Sequence, residues 1–568
     1  MSQPTIAERL RIAQLMGRSR RAALAGRLRA MPLLGSRLMR PRADDFLLVP
    51  PDMRPRDPSF LDELRQGQLG LGGSVRDIGG GSPFAFVPPD RQWARELHGF
   101  GWLGHLKAAG GPEAVEVARR LVSDWIIRNR GTPGGVGIAS EPDIIARRIT
   151  AWIASSGFLL DDAEAAFFRQ FTHALGLDLR ALDARRHGAG PGLPQLECLM
   201  ALLLASLAIS GHDRERPRLE TAMLAELRHQ ILADGGHISR NPDVLIDVML
   251  DLLPLRQCYG ARNLPAPPAL SELIDRVLGF LHAMTLETGR LARFNGVGLA
   301  RADTLAILLA LDTRASVRGS SPGASGYVRL TRGPTTVIVD CGAAPPLAHA
   351  GTAHAGCLSF EMTHERAPLV TNRGAPGGPH GRFRFEARAT ASHSTLALSE
   401  QSSARFLAQA SLERLLGGQP ARGPLVVVTR VSEAEGRADV VAWHDGYLAR
   451  YGLIHERRLS LSADGRVLTG TDRLRPPQGT FRLARDLPFS VHFHLAADAG
   501  AASDATGGIL VRPADAPPWL LTATDCRISI ETATDYAQSL GPTPARQIVL
   551  RSVCPGEAEI TWQLERVG

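Results

Sequence analysis

AHAGCLSFEMTHERAPLVTNRGAPGGPHGRFRFEARATASHST, residues 353–395, sets two strand-like runs, LSFEMTH and APLVTNRG, between His354 and His393, 39 positions apart. Both runs are short, carry aromatic or β-branched residues and end in turn residues, as antiparallel strands do. The pattern continues downstream in PLVVVTRVSEA, DVVAWHDGY, IHERRLSLSADGRVLTGTDRL, FSVHFHLA, QIVLRSVC and EITWQLERV. Many strands with no helix between them predict a large antiparallel β-sandwich over residues 327–568. Within it, LSADGR reads as a hairpin turn at Asp464 and Gly465.

Upstream the period changes. DTRASVRGSSPGASGY is rich in Ser, Gly and Pro and predicts a linker over 313–326. From 93 to 312, segments such as PEAVEVARRLVSDWIIRN, LECLMALLLASLAI and PDVLIDVMLDLLPLRQCY recur between Gly, Pro and Asp. About nine helices in antiparallel succession follow from that spacing, in an (α/α) toroid or a solenoid of hairpins. Residues 43–92, rich in Pro, Gly and Asp, read as an extended connector with one or two short strands.

At 568 residues and 44% apolar, the chain can build two or three cores. Its six cysteines form no CxxC pair, so neither a zinc knuckle nor a disulfide framework is indicated. The net charge of +8 is local: residues 1–42 hold ten arginines and one acid, Glu8, an excess of +9 that leaves the remainder near −1. A nearly neutral body predicts no nucleic-acid partner. Ile12, Leu15, Met16, Leu24, Leu28 and Met31 recur at roughly helical spacing among the arginines. A basic amphipathic leader helix is the reading, which could lie on an anionic membrane surface, dock on a partner or stay solvated. Arginines interrupt each apolar run before a secretory core forms, and LMALLLASLAI is too short to span a bilayer. The expected location is cytoplasmic or membrane-peripheral.

Taken in order, AHAGCLSFE, LVTNRG, RATASHSTL, HDGY and IHERRLSL resemble the signature of the heparinase II/III family of polysaccharide lyases. The resemblance covers roughly residues 90–568 and implies a helical toroid followed by a β-sandwich, an acidic polysaccharide as partner and a periplasmic setting. It also implies β-elimination: a uronate carboxylate is neutralised, a base takes the C5 proton and an acid protonates the leaving oxygen. The alternative is a non-catalytic glycan-binding or envelope-assembly scaffold that has lost the catalytic side chains.

The family's histidine turn is commonly H-x-H-x-D. Aligned on LSFE, His354 takes the second histidine, Thr352 the first and Gly356 the acid. His349, in a preceding AHAG copy, is the candidate for the vacant role. The resemblance further implies a structural divalent metal, zinc or calcium, on His354 and His393, with Asn372 where some relatives carry an acid. Where the family has Asn or His at a helix start, this chain has Leu193, Pro194 and Gln195, and the family's Tyr-His falls near Asn241 and Pro242. HDGY supplies His444 and Tyr447 as an acid/base pair, with Arg457 on the next strand to hold a carboxylate. Arg388 is a second carboxylate fork. DGGHISRNP offers His237, Arg240 and Asn241 at a helix entry, as an anion site or as a capped turn. Tyr259, ending an apolar helix, reads as packed.

Overall fold

The computed structural model describes residues 43–568 apart from 44, 130–133, 300, 312–322, 407–417, 419, 421, 435, 480–481, 515 and 539–540, and also positions 13, 14, 16, 17 and 21. Most of the expected leader helix, in which positions 13, 14, 16, 17 and 21 are helical, and most of the 313–326 linker lie outside the described residues. The chain divides into two compact units, one of residues 43–230 with Ile246–Ile274, the other of Ile231–Leu245 with Asp275–Gly568.

The first unit is helical. The connector holds a short helix, Phe60–Arg65, and one hairpin, β1 (Gln68–Leu71) with β2 (Ser74–Asp77). Asp90 caps the helix Arg91–Gly99 by accepting from Trp93 N at 2.9 Å. WARELHGFGWLGHLKAA is two helices rather than one, because Phe100 takes a left-handed conformation, φ +60°. Phe100, Trp125, Trp152 and Phe171 then pack ring against ring. Leu193–Ala208 is apolar around nearly its whole circumference and is buried accordingly. Arg148 is buried beside it only because Asp178 pairs with it at 2.6 Å and the His98 and Ala139 carbonyls accept the rest. Tyr259 packs as expected and donates to Glu220 Oε1 at 2.7 Å.

The second unit is the sandwich. β3 (Tyr327–Arg332), β4 (Thr335–Asp340), β5 (Phe360–His364) and β6 (Ala367–Thr371) form a meander, and β7 (Leu396–Leu398) pairs with β12 (Leu487–Leu495). β8 (Val427–Ala434), β9 (Arg437–His444), β10 (Ile454–Leu461) and β11 (Val467–Arg475) form a second meander. The remaining strands are β12 (Leu487–Leu495), β13 (Gly500–Ser503), β14 (Ile509–Arg512), β15 (Trp519–Ala523), β16 (Arg527–Asp535), β17 (Thr543–Cys554) and β18 (Ala558–Arg566). One sheet runs β13-β14-β15-β18-β11-β10-β9-β8, the other β16-β17-β12-β6-β5-β4-β3. Their facing apolar side chains, among them Phe360, Phe493, Trp519 and Trp562, make a single core. The LSADGR turn joins β10 to β11, with Gly465 at φ +71° and Leu461 opposite Leu468.

The unit division departs from the expected boundary. The loops at 231–242 and 293–297 belong with the sandwich because their polar side chains bond to β3 and β4, through the contacts described next.

Candidate functional site

The DGGHISRNP loop folds back on itself through a bridge between Ile231 and His237. Gly235 takes φ +89°, and a Cβ there would stand 2.1 Å from the Arg276 carbonyl oxygen, so only glycine fits. His237 Nδ1 accepts from Ser239 N at 3.1 Å and lies 2.7 Å from Ser239 Oγ. Its lone pair is thereby spent inside the loop, and burial, with His349 adding to the effect, pushes the imidazole down to about 3. The structure brings His237 and His349 together, ring centroids 6.4 Å apart, but His237 has no free lone pair with which to act as base.

Arg240, expected to hold substrate, is consumed within the unit. At φ +59° it turns its guanidinium inward, donating to Ser325 O at 2.7 Å and to the Gly342 and Ala343 carbonyls at 3.1 Å. It also pairs with Asp340 and stacks 4.8 Å over Tyr327. A Cβ at Gly342 would fall 2.3 Å from that guanidinium. Asn241 is a cap: its Oδ1 accepts from Asp243 N at 3.0 Å as the helix Asp243–Ala261 begins.

Asn295 is the hub that joins this loop to the histidine turn. In a left-handed conformation, φ +48°, it donates to Tyr327 Oη at 2.8 Å and Asp340 Oδ2 at 3.0 Å, and accepts from His354 N at 3.2 Å. A cavity lined by Arg240, Asn295, Asp340, His354, Cys357 and Phe406 lies here, with room for about one water, far short of a sugar ring. Glu361, the acid of SFE, accepts from Asn372 N at 2.6 Å, and burial pushes it up to about 7 against the pull of Arg293.

His354 and His393 do meet, as expected. Nδ1 of the first lies 3.0 Å from Nε2 of the second, with the rings at 84°. His393 Nδ1 donates to Ala389 O at 2.8 Å. Arg388 is not open to a carboxylate: its Nε donates to Ala353 O at 2.7 Å and its guanidinium stacks 3.9 Å over Phe406. It props the histidine turn from behind. The pair does not fit a metal centre, because among the described residues no third Cys, His, Asp or Glu completes a ligand set.

The HDGY expectation meets a similar correction. Tyr447 is buried and donates to Leu396 O at 2.9 Å, and burial raises its phenol well above the usual range. A base needs the opposite shift. His444 accepts from Gly446 N at 3.0 Å and lies 3.3 Å from its cross-strand neighbour His455. His455 in turn bonds Asp472 at 2.8 Å. Arg457 grips Asp472 through two bonds, 2.8 and 2.9 Å, and donates to the Leu358 and Ser394 carbonyls. Trp562 Nε1 completes the set on Asp472 at 2.9 Å. His444, Tyr447 and Arg457 are thus parts of the buried sandwich, and none lines the cavity beside His354.

Asp340, Tyr327, His455, Asp472 and Glu361 were not singled out from sequence. Asp340 and Asp472 had a signal: each is a carboxylate in a run of strand residues, and Asp472 shares the parity of the inward-facing Leu468 and Leu474.

Residues 316–563 match the family described as heparinase II/III-like, C-terminal. The FtsZ-localized protein C of Caulobacter vibrioides (strain NA1000 / CB15N) is 32% identical over 556 residues, 93% of this chain and 91% of that protein. Among solved structures, heparinase III superposes with a TM-score of 0.68 at 13% identity, over 90% of this chain and 84% of its own. A heparan sulfate lyase HepC mutant from Pedobacter heparinus gives 0.60 at 15% identity, over 94% and 87%. At such identities these two structures speak to the fold alone.

Proposed function

Because the chain belongs to the heparinase II/III-like family yet closes its candidate lyase side chains into internal bonds, we propose that it is a non-catalytic binding and assembly protein built on a lyase fold. The observation that carries this reading is the fate of those side chains. Tyr447 is bonded to a backbone carbonyl with a raised pKa, Arg457 is locked on Asp472, and Arg240 is locked on Asp340. Elimination needs a base of lowered pKa and a cation facing the substrate carboxylate. These groups offer neither.

The relative named for its localisation with FtsZ supports a place for this chain beside FtsZ. The arginine-rich leader, with its excess of +9, supports a second contact, to an anionic membrane surface. No helix among the described residues is long and apolar enough to cross a membrane. An acidic glycan would be bound without being cleaved. A uronate lyase is the competing reading, favoured by the family and by the retained His354 and His393.

Incubating the purified full-length protein with a panel of uronate polymers should yield no ultraviolet absorbance from unsaturated product. The same protein should co-sediment with purified FtsZ and with vesicles rich in anionic lipid. Deletion of residues 1–42 should abolish vesicle binding and leave FtsZ binding in place. Product absorbance from any polymer would overturn the non-catalytic reading, and failure to bind FtsZ would overturn the placement.

A further inference from the structure

The histidine pair departs from a metal site in three independent ways. The first is its proton. A neutral imidazole carries one N–H, and in His393 that N–H is at Nδ1, donating to Ala389 O at 2.8 Å. Nε2 is then an acceptor, so the proton between the rings is carried on His354 Nδ1, 3.0 Å away. The lone pair of His393 Nε2 is spent on that hydrogen bond, and the lone pair of His354 is on Nε2, outside it.

The second departure is Asn372. Its Oδ1 accepts from Ser394 N at 2.9 Å, which fixes the orientation of the amide. The other branch is therefore Nδ2, fully buried and with no hydrogen-bond partner among the described residues. An amide nitrogen has hydrogens to offer and no lone pair to give a cation. An aspartate in the same place would hold Ser394 with one oxygen and leave the second available as a ligand.

The third is Gly356, which stands where an H-x-H-x-D turn has its acid. A Cβ at this position would lie 2.6 Å from His393 Cδ2 and 3.2 Å from its Nε2. The His393 ring occupies the space that a side chain at 356 would take, so the present arrangement and an acid at 356 exclude each other.

We infer that the metal centre expected from the family is replaced in this chain by a metal-free staple, the His354–His393 hydrogen bond, which fastens the 347–356 turn to the 388–395 segment. Backbone and hydroxyl bonds run alongside it: Ala355 N donates to Arg388 O at 2.9 Å and Thr390 Oγ1 to Ala355 O at 2.7 Å. The staple holds two loops together as a structural ion would, and the buried amide of Asn372 supplies no anionic ligand.

Metal analysis of the full-length protein tests this directly. The wild type should carry well under one equivalent of zinc, fail to compete for zinc with a chromophoric chelator, and melt at the same temperature with and without EDTA. Asn372→Asp should gain about one equivalent of zinc, and Asn372→Asp with His393→Ala should lose it again. Near-stoichiometric zinc in the wild type, or melting lowered by EDTA, would overturn the inference. A folded Asn372→Asp that still binds no zinc would overturn the role given to the amide. If that variant does not fold, the wild-type titration alone decides.

Discussion

Asp472 accepts four hydrogen bonds at the centre of the sandwich, one from His455, two from Arg457 and one from Trp562, at 2.8–2.9 Å. Burial would raise its carboxyl, but Arg457 and His455 hold it well below the usual range, so it is the anion that balances the buried Arg457. Replacing it with asparagine keeps the shape and removes the charge. The amide retains one acceptor oxygen and turns an NH2 toward groups that are themselves donors. At least one face of the Arg457 fork is then opposed by N–H, and the cation keeps at most one bond to the amide oxygen beside the Leu358 and Ser394 carbonyls. Removing one partner of a buried pair costs about 3–5 kcal/mol. At about 1.4 kcal/mol per decade, amide hydrogen exchange of peptides covering β10 and β11 should quicken by roughly two to three and a half orders of magnitude. Exchange read by mass spectrometry reports this unit by itself, which matters in a chain of two compact units. Arg457→Met combined with Asp472→Leu should restore part of the protection, because neither charge then remains buried while His455 and Trp562 lose their acceptor. A change below about tenfold in Asp472→Asn would show that the carboxylate does not hold the network, and the reasoning would fail. Failure of the double variant to recover would shift the cause from charge to packing.

Other outcomes follow from the same geometry. His237, His444 and His494 are neutral because burial lowers each of them below the usual value near 6.5. The stability they retain is therefore complete above pH about 6.5 and is lost as the pH falls, since the unfolded chain takes up protons that the folded one refuses. Between pH 7.5 and 5.5 each such ring costs about 1.4 kcal/mol, partly offset by Glu361, whose raised carboxyl takes up its proton in the folded state, so calorimetric melting should drop over that interval, and a flat profile would contradict the assignment. Tyr447→Phe removes the bond to Leu396 O and should cost about 1 kcal/mol in a urea titration, with no loss of FtsZ or vesicle binding. Gly356→Ala forces a Cβ to within 2.6 Å of His393 and should destabilise by about 1–3 kcal/mol, with faster exchange confined to the 347–356 and 388–395 segments.

The order of helices before strands was legible because it rests on hydrophobic period, a local property. The hairpin at Asp464 and Gly465 was legible for the same reason, since the turn type demands those residues. His354 and His393 were found through a motif and do meet. The roles of Arg240, Arg388 and Arg457 were not legible, because an arginine's role depends on what faces it. Each one's partner lies on a different segment: Asp340 for Arg240, the Ala353 carbonyl and the Phe406 ring for Arg388, Asp472 for Arg457. The same holds for the unit boundary. No composition rule places 231–245 with the sandwich; the buried Arg240–Asp340 pair and the Asn295 hub do so.

The distribution of buried charge bears on what these arginines can do. An arginine cannot simply be buried, since an uncompensated charge in the core is severely destabilising. It must acquire an internal anion, and here Arg240 has Asp340 and Arg457 has Asp472, with backbone carbonyls accepting the remaining N–H groups. Arg373 shows the other solution. It has no carboxylate within bonding distance among the described residues, is satisfied by His494 and two carbonyls, and burial draws its guanidinium down to about 10. Once paired, none of these groups can be freed for a ligand without leaving an ion stranded in the core. Freeing one of these arginines for a substrate anion would therefore need coordinated changes at both members of a pair.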